Sequence, residues 1–445
     1  MKLPSIKFVV HYAFYMIVLV AAVDYCSVSI NQKIDVGVVY FGLLLVTLLL
    51  VDYAKKPLSQ FVIVSWQWWM VIGVLNISTS VKLYGADIRG VEDAMLIYQI
   101  YLFIFSASIV FFENIFSASK VGKCDLEKTS VTAEWGWLLI LFPFLMFIEV
   151  YLKLGFIPVL AGENIVGEMY EYDYGFLYSY KGIMLFSMII VFHKLLKSKF
   201  SSGKILWFCT LLLMLAISLM ESKRIIFLCS MIMVLVYLYK VKGMQFIVKW
   251  GGWYGLAALA LYVFMASVRS AEGVFARGSG WDHVFYMVGV EFKDFAWTVT
   301  HFVPGGIKDY SWFVSSIASF VNGNVLSLFG FNKGELTVLD SAHTWSALFG
   351  IDLGIRTGII SELWFGYGYA GLLIMGCFGL YTTWLVDRID SVREAEPLFL
   401  YLYLYSFVVL LIMGQSSMFF GVLITGIYVH VALWLIKYFR IKGRM

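Results

Sequence analysis

The sequence predicts an all-α, polytopic integral membrane protein of about twelve transmembrane helices with one large loop on its outer face. Three observations carry that expectation. Hydrophobic residues make up 61% of the 445 and charged residues 14%, an apolar excess that the core of a water-soluble fold cannot absorb. Runs of about 16 to 24 mostly apolar residues recur along the whole chain. Short charged stretches separate these runs, so 1–445 reads as a single transmembrane domain.

In order, the apolar runs place spans near residues 8–29, 37–52, 60–79, 95–113, 135–152, 177–195, 205–220, 225–239, 250–268, 363–386, 398–413 and 419–438. Lys2 and Lys7 precede the first. Asp24, Tyr25 and Cys26 at its far end lack the small residues of a cleavage site, so it reads as a retained span with the amino terminus inside. The distribution of Lys and Arg agrees with that orientation. Most of the 33 fall on the short loops assigned to the inner face, Lys55, Lys56, Lys197, Lys240, Arg388 and Arg440 among them. The outer face is poorer in them although it includes the long segment 267–362. Both termini are then cytoplasmic. The net charge of +4 follows from this asymmetry and gives no argument for a nucleic-acid partner. Four of the five cysteines lie in or at the ends of spans and Cys124 lies on an inner loop, so no outer disulfide framework is expected. The six histidines show no metal-ligand spacing.

Segment 267–362 holds two strongly apolar stretches, 281–303 and 312–331, separated by Pro304, Gly305 and Gly306. In the first, Val284, Val288, Phe292, Phe295 and Val299 recur at helical spacing while His283, Glu291, Lys293 and Asp294 interrupt them. The pattern suits helices lying in the membrane interface and roofing a cavity there. Such a cavity points to a lipid-linked substrate.

Charge on that face concentrates at the turn Glu221, Ser222, Lys223, Arg224, between apolar runs short for a hydrocarbon core of about 30 Å. Ser222 can cap the following helix, whose free amides and dipole point outward beside Lys223 and Arg224, which makes an anion site at lipid-phosphate depth. Arg269 and Arg277 follow the ninth span, and Arg356 lies further along the same loop. Two or three guanidinium groups together can clamp a diphosphate bidentately without a metal. The alternative is ordinary snorkelling of these side chains to head groups. Between the fifth and sixth spans, Tyr172 and Asp173 belong to a run in which aromatic rings alternate with carboxylates, from Tyr170 to Tyr180. Rings stack on apolar sugar faces while acids accept hydroxyl hydrogen bonds, so a sugar chain fits there as well as an interfacial aromatic belt does. Glu171 and Asp173 have the spacing of a metal-holding acid pair, but the reading adopted is sugar binding with no metal.

The Glu221–Arg224 turn with its apolar span, the long outer loop, and the stretches Asp340-Ser341-Ala342-His343-Thr344-Trp345 and Ile360-Ser361-Glu362-Leu363-Trp364-Phe365-Gly366-Tyr367-Gly368 together resemble the bacterial O-antigen and repeat-unit polymerase family (Wzy type). More distantly, they resemble the O-antigen ligases. The resemblance implies a GT-C-like, metal-independent glycosyltransferase without cofactors in the bacterial inner membrane, with 267–362 as a periplasmic loop. Its substrates would be undecaprenyl-diphosphate-linked oligosaccharides, membrane lipids would surround it, and a chain-length regulator would be a partner. It further implies that Arg224 and Arg269 take the leaving diphosphate, that His343 corresponds to the ligase loop histidine, and that Glu362 orients an arginine or the acceptor. Lys223, Arg277, Arg356, Tyr172 and Asp173 would bind substrate. Two other readings stay open: a ligase that moves finished chains to a lipid A core, and a lipid-linked oligosaccharide flippase, for which paired inverted halves and charges at mid-span would be the sign.

Overall fold

The computed structural model describes residues 45–84, 91–116, 132–156, 177–180, 182–198, 201–220, 224–247, 249–250, 290–299, 323–332, 358–393, 395–413 and 423–431, with isolated positions elsewhere between 253 and 336. Every regular element among them is helical. The principal helices are α1 (Pro57–Tyr84), α2 (Val91–Phe116), α3 (Thr132–Leu154), α4 (Ile183–Lys197), α5 (Ser201–Met220), α6 (Arg224–Lys242), α7 (Val290–Thr298), α8 (Gly323–Leu328), α9 (Gly358–Tyr367), α10 (Ala370–Ser391) and α11 (Ala395–Leu410). Residues 45–53 and 423–431 are also largely or wholly helical.

Asp93–Phe116 and Ala370–Ser391 are long and apolar enough to cross a membrane, and Ser201–Ile217 and Pro397–Met413 are shorter apolar helices. The outward surfaces are apolar in helical register. On α3, Leu141, Leu145, Ile148 and Leu152 form an exposed stripe, and on α5 Ile205, Phe208 and Leu212 form another.

α10 packs along α2, with α11 beside it; α3, α4 and α5 form a second layer, joined through α4 and α6 to α11. Small residues allow the closest approach. A Cβ added at Gly379 would lie 2.6 Å from Ser108 Cβ and 2.9 Å from the Phe105 carbonyl, so α10 meets α2 almost backbone to backbone there. Thr383, one turn on, donates its hydroxyl to the Ile109 carbonyl at 3.3 Å.

Four of the apolar runs differ in extent from the helices that form on them. α5 and α6 continue through Ser201–Lys204 and Lys240–Lys242, because helix formation does not stop where apolarity stops. Each helix is roughly 30 Å long, and because the turns that lengthen it are polar its apolar part stays as short as the sequence reads it. The run 363–386 is two helices. Gly368 stands between α9 and α10 at φ +56°, and its amide donates to the Trp364 carbonyl at 3.0 Å, which ends α9 in a left-handed cap. The run 177–195 opens as a 3₁₀ turn, Leu177–Tyr180, whose first amide is held by Glu149 Oε2 at 2.7 Å, and becomes α4 only at Ile183.

Candidate functional site

The described polar side chains gather at two levels of the bundle. At one end Lys56 pairs with Asp387 and stands 3.8 Å from Asp390 Oδ2, while Lys240 donates to the Asp390 carbonyl. Glu113 accepts from the Lys55 amide at 2.7 Å and from the Ser59 hydroxyl. These contacts bring together the start of α1 and the last turns of α6 and α10. Lys56, Ser59, Glu113, Lys240 and Asp390 are buried, and together these contacts tie α1, α2, α6 and α10.

The second level is deeper. α7 comes from the region the sequence reads as the outer loop, yet it packs against α1 and α2 and meets α9, whose first half belongs to that loop and whose second half belongs to the expected tenth span. Phe292, Phe295 and Ala296 of α7 are fully buried. Tyr98 meets Phe292 and Phe295 with ring centroids 5.2 Å apart in each case, and Phe295 meets Phe365 of α9 at 5.7 Å. The apolar side of this short helix thus faces protein.

That packing carries Glu291 inside. Its side chain is 0% exposed, and Oε2 accepts the Trp69 indole N–H at 3.0 Å. From Ser59 to Trp69 the rise along α1 is roughly 15 Å, which separates this carboxylate from the Lys56 level along the helix. Gly358, at φ +73°, starts α9 where only a glycine fits. A Cβ there would lie 2.7 Å from the Ile412 carbonyl, 3.2 Å from Glu291 Cβ and 3.5 Å from the Tyr98 hydroxyl oxygen. Tyr98 Oη and Ser361 Oγ are buried without a hydrogen-bond partner among the described residues. Ser361 follows Gly358 by one helical turn and so shares its side of α9. Glu362, next to it, is 3% exposed. The contact therefore gathers a buried carboxylate, a phenol and a hydroxyl among aromatic side chains. Such an arrangement can accept a proton from a sugar hydroxyl or hold one itself.

Of the residues picked from sequence, Glu362 is the one whose side chain is described, and it is buried in α9. Arg224 is the first residue of α6, and its side chain lies outside the described residues. Lys223, Arg269, Arg277, His343, Arg356, Tyr172 and Asp173 also lie outside them. Sequence reasoning passed over Glu291, Trp69 and Tyr98. A signal was present: Glu291 precedes Phe295 by four residues, so it stands inside the apolar stripe and not opposite it. Among the described residues no group of three or more His, Cys, Asp or Glu side chains is placed to hold a metal ion.

Comparison with known proteins gives no match, whether to a family model, a curated protein or a solved structure.

Proposed function

We propose that the chain is a polytopic inner-membrane glycosyltransferase that polymerises undecaprenyl-diphosphate-linked oligosaccharide repeat units at the periplasmic face, with about twelve spans and both termini cytoplasmic. The observation that carries this reading is the packing of α7, a piece of the outer loop, against α1 and α2, with the buried Glu291 carboxylate where α7 meets the start of α9. A loop that completes a site inside the spans suits an enzyme taking lipid-linked substrates at one face, and the closed ion-pair network at the Lys56 end suits the same one-sidedness.

The acceptor sugar hydroxyl attacks the anomeric carbon of the growing chain. Its proton passes to Glu291, and the bond from the anomeric carbon to the diphosphate oxygen breaks. The diphosphate leaves as an anion whose charge Arg224 and Arg269 meet, so preorganised cations replace acid assistance to the leaving group. Trp69 holds the carboxylate in position. Glu362 orients the acceptor with Tyr172 and Asp173, and Lys223, Arg277, Arg356 and His343 complete the substrate contacts. A chain-length regulator is the expected protein partner.

One observation favours a second reading, a lipid-linked oligosaccharide transporter. A carboxylate buried in the bundle beside a helix broken at Gly368 is what transport sites are built from. The deciding experiment supplies purified protein in chelator with a polyprenyl-diphosphate-linked repeat unit. Longer lipid-linked chains with release of polyprenyl diphosphate support the polymerase. Passage of unchanged substrate across a vesicle wall, without chain growth, supports the transporter and overturns the proposal.

A further inference from the structure

The last turns of α10 carry a cleft that the Lys56 network leaves open. Cys377, Tyr381, Trp384 and Arg388 recur at spacings of four, three and four, so they share one side of the helix, with Leu380 beside them. With Phe116 at the end of α2 they line a volume of about 760 Å³, within the range of ligand-sized cavities. The walls are mostly carbon. Tyr381 and Trp384 stack at 5.7 Å and 21°, and the Arg388 guanidinium stands 5.7 Å from the Trp384 ring centroid. Asp387 also borders the cleft, but Lys56 meets its charge. The polar end is therefore net positive, and a guanidinium held over an indole keeps its N–H edge for an incoming anion.

The position of the cleft selects its occupant. α10 is long and apolar enough to cross a membrane, and its outward side stays apolar, with Leu373 75% and Trp384 40% exposed. An opening on such a surface faces acyl chains along its length and phosphates only at its end. We propose that this cleft binds one anionic phospholipid of the leaflet at the Lys56 end. One acyl chain lies along Phe116, Leu380 and Tyr381, and the phosphate sits on Arg388. The proposal rests on the membrane-embedded reading of the chain and is independent of its enzymatic activity.

Alkaline washing of membranes carrying the full chain comes first, since release of the protein would refute the embedded reading itself. Detergent-purified protein is then delipidated stepwise and followed by native mass spectrometry with phosphatidylglycerol, phosphatidylcholine and glycerol phosphate as probes. Wild type is expected to retain one phosphatidylglycerol in preference to phosphatidylcholine, with no competition from glycerol phosphate. Arg388→Gln is expected to lower that preference roughly fivefold. Cys377→Trp, which fills the cleft, should lose both lipids, while Leu373→Ala, elsewhere on the outward side of α10, should keep the wild-type pattern. An unchanged preference in Arg388→Gln, a position exposed enough not to threaten folding, overturns the proposal. Displacement of the lipid by glycerol phosphate does so too, because it reveals an anion site with no place for a chain.

Discussion

At the scale of single residues, the account turns on groups that burial deprives of water. Trp69 is the described donor to the Glu291 carboxylate, and an ionised or neutral carboxyl loses a hydrogen bond when that indole is removed. Trp69→Phe keeps the aromatic packing and is expected to lower stability by about 1 to 3 kcal/mol, read as the unfolding midpoint in detergent. Glu291→Gln keeps the shape and the indole contact but cannot take a proton. Its chain extension should fall on the order of a hundredfold with near-normal membrane insertion, the size typical of a lost general base. Wild-type extension by Glu291→Gln at matched expression would remove Glu291 from the chemistry. At the Lys56 end, Lys56→Met removes the cation paired with Asp387 and leaves fully buried Asp390 with Lys240 alone among the described residues. Breaking a buried ion pair from one side costs up to about 3 kcal/mol, so the same midpoint should drop, and adding Asp387→Leu should restore part of the loss.

Helix contacts set the next scale. Gly379→Leu must push Ser108 and the Phe105 carbonyl away from α10, and overpacking of this kind costs about 1 to 3 kcal/mol or more. Gly376→Ala meets Ser108 Oγ at 3.4 Å and is expected to be neutral by the same unfolding measurement. The pair separates a specific close approach from a general intolerance of side chains on this helix. The apolar runs at 60–79, 95–113, 135–152, 205–220, 225–239 and 398–413 all fall on described helices, because a long apolar segment has one way to satisfy its backbone in an apolar medium. Helix ends were less legible. Lys240 extends α6 by bonding the Asp390 carbonyl of another helix, a tertiary partner that no local pattern announces. The break at Gly368 does have a local cue, the Gly366-Tyr367-Gly368 sequence, but apolarity on both sides hid it. α7 was legible as amphipathic and illegible in its partner: a 3.6-residue period is the same whether the apolar side meets lipid or protein, which is why Glu291 read as an interruption and not as a site.

For the whole molecule, the reading is a bundle with two unlike ends, one closed by ion pairs and one entered by a loop. The orientation predicts that cysteine introduced at Lys197 is protected from an impermeant thiol reagent in outward-facing membranes while cysteine at Arg277 reacts. The reverse pattern would move the proposed site to the cytoplasm, where no periplasmic polymerase can work. The central claim, that this chain lengthens lipid-linked polysaccharide, is tested most directly by the lipopolysaccharide ladder of a strain lacking it, complemented with wild type or with Glu291→Gln. The account predicts a single core-plus-one-repeat band in the deletion strain, a full ladder with wild type and no ladder with Glu291→Gln. An unchanged ladder in the deletion strain would contradict it. So would a bare core, with accumulated lipid-linked polymer marking a ligase and with cytoplasmic-face intermediates marking a transporter.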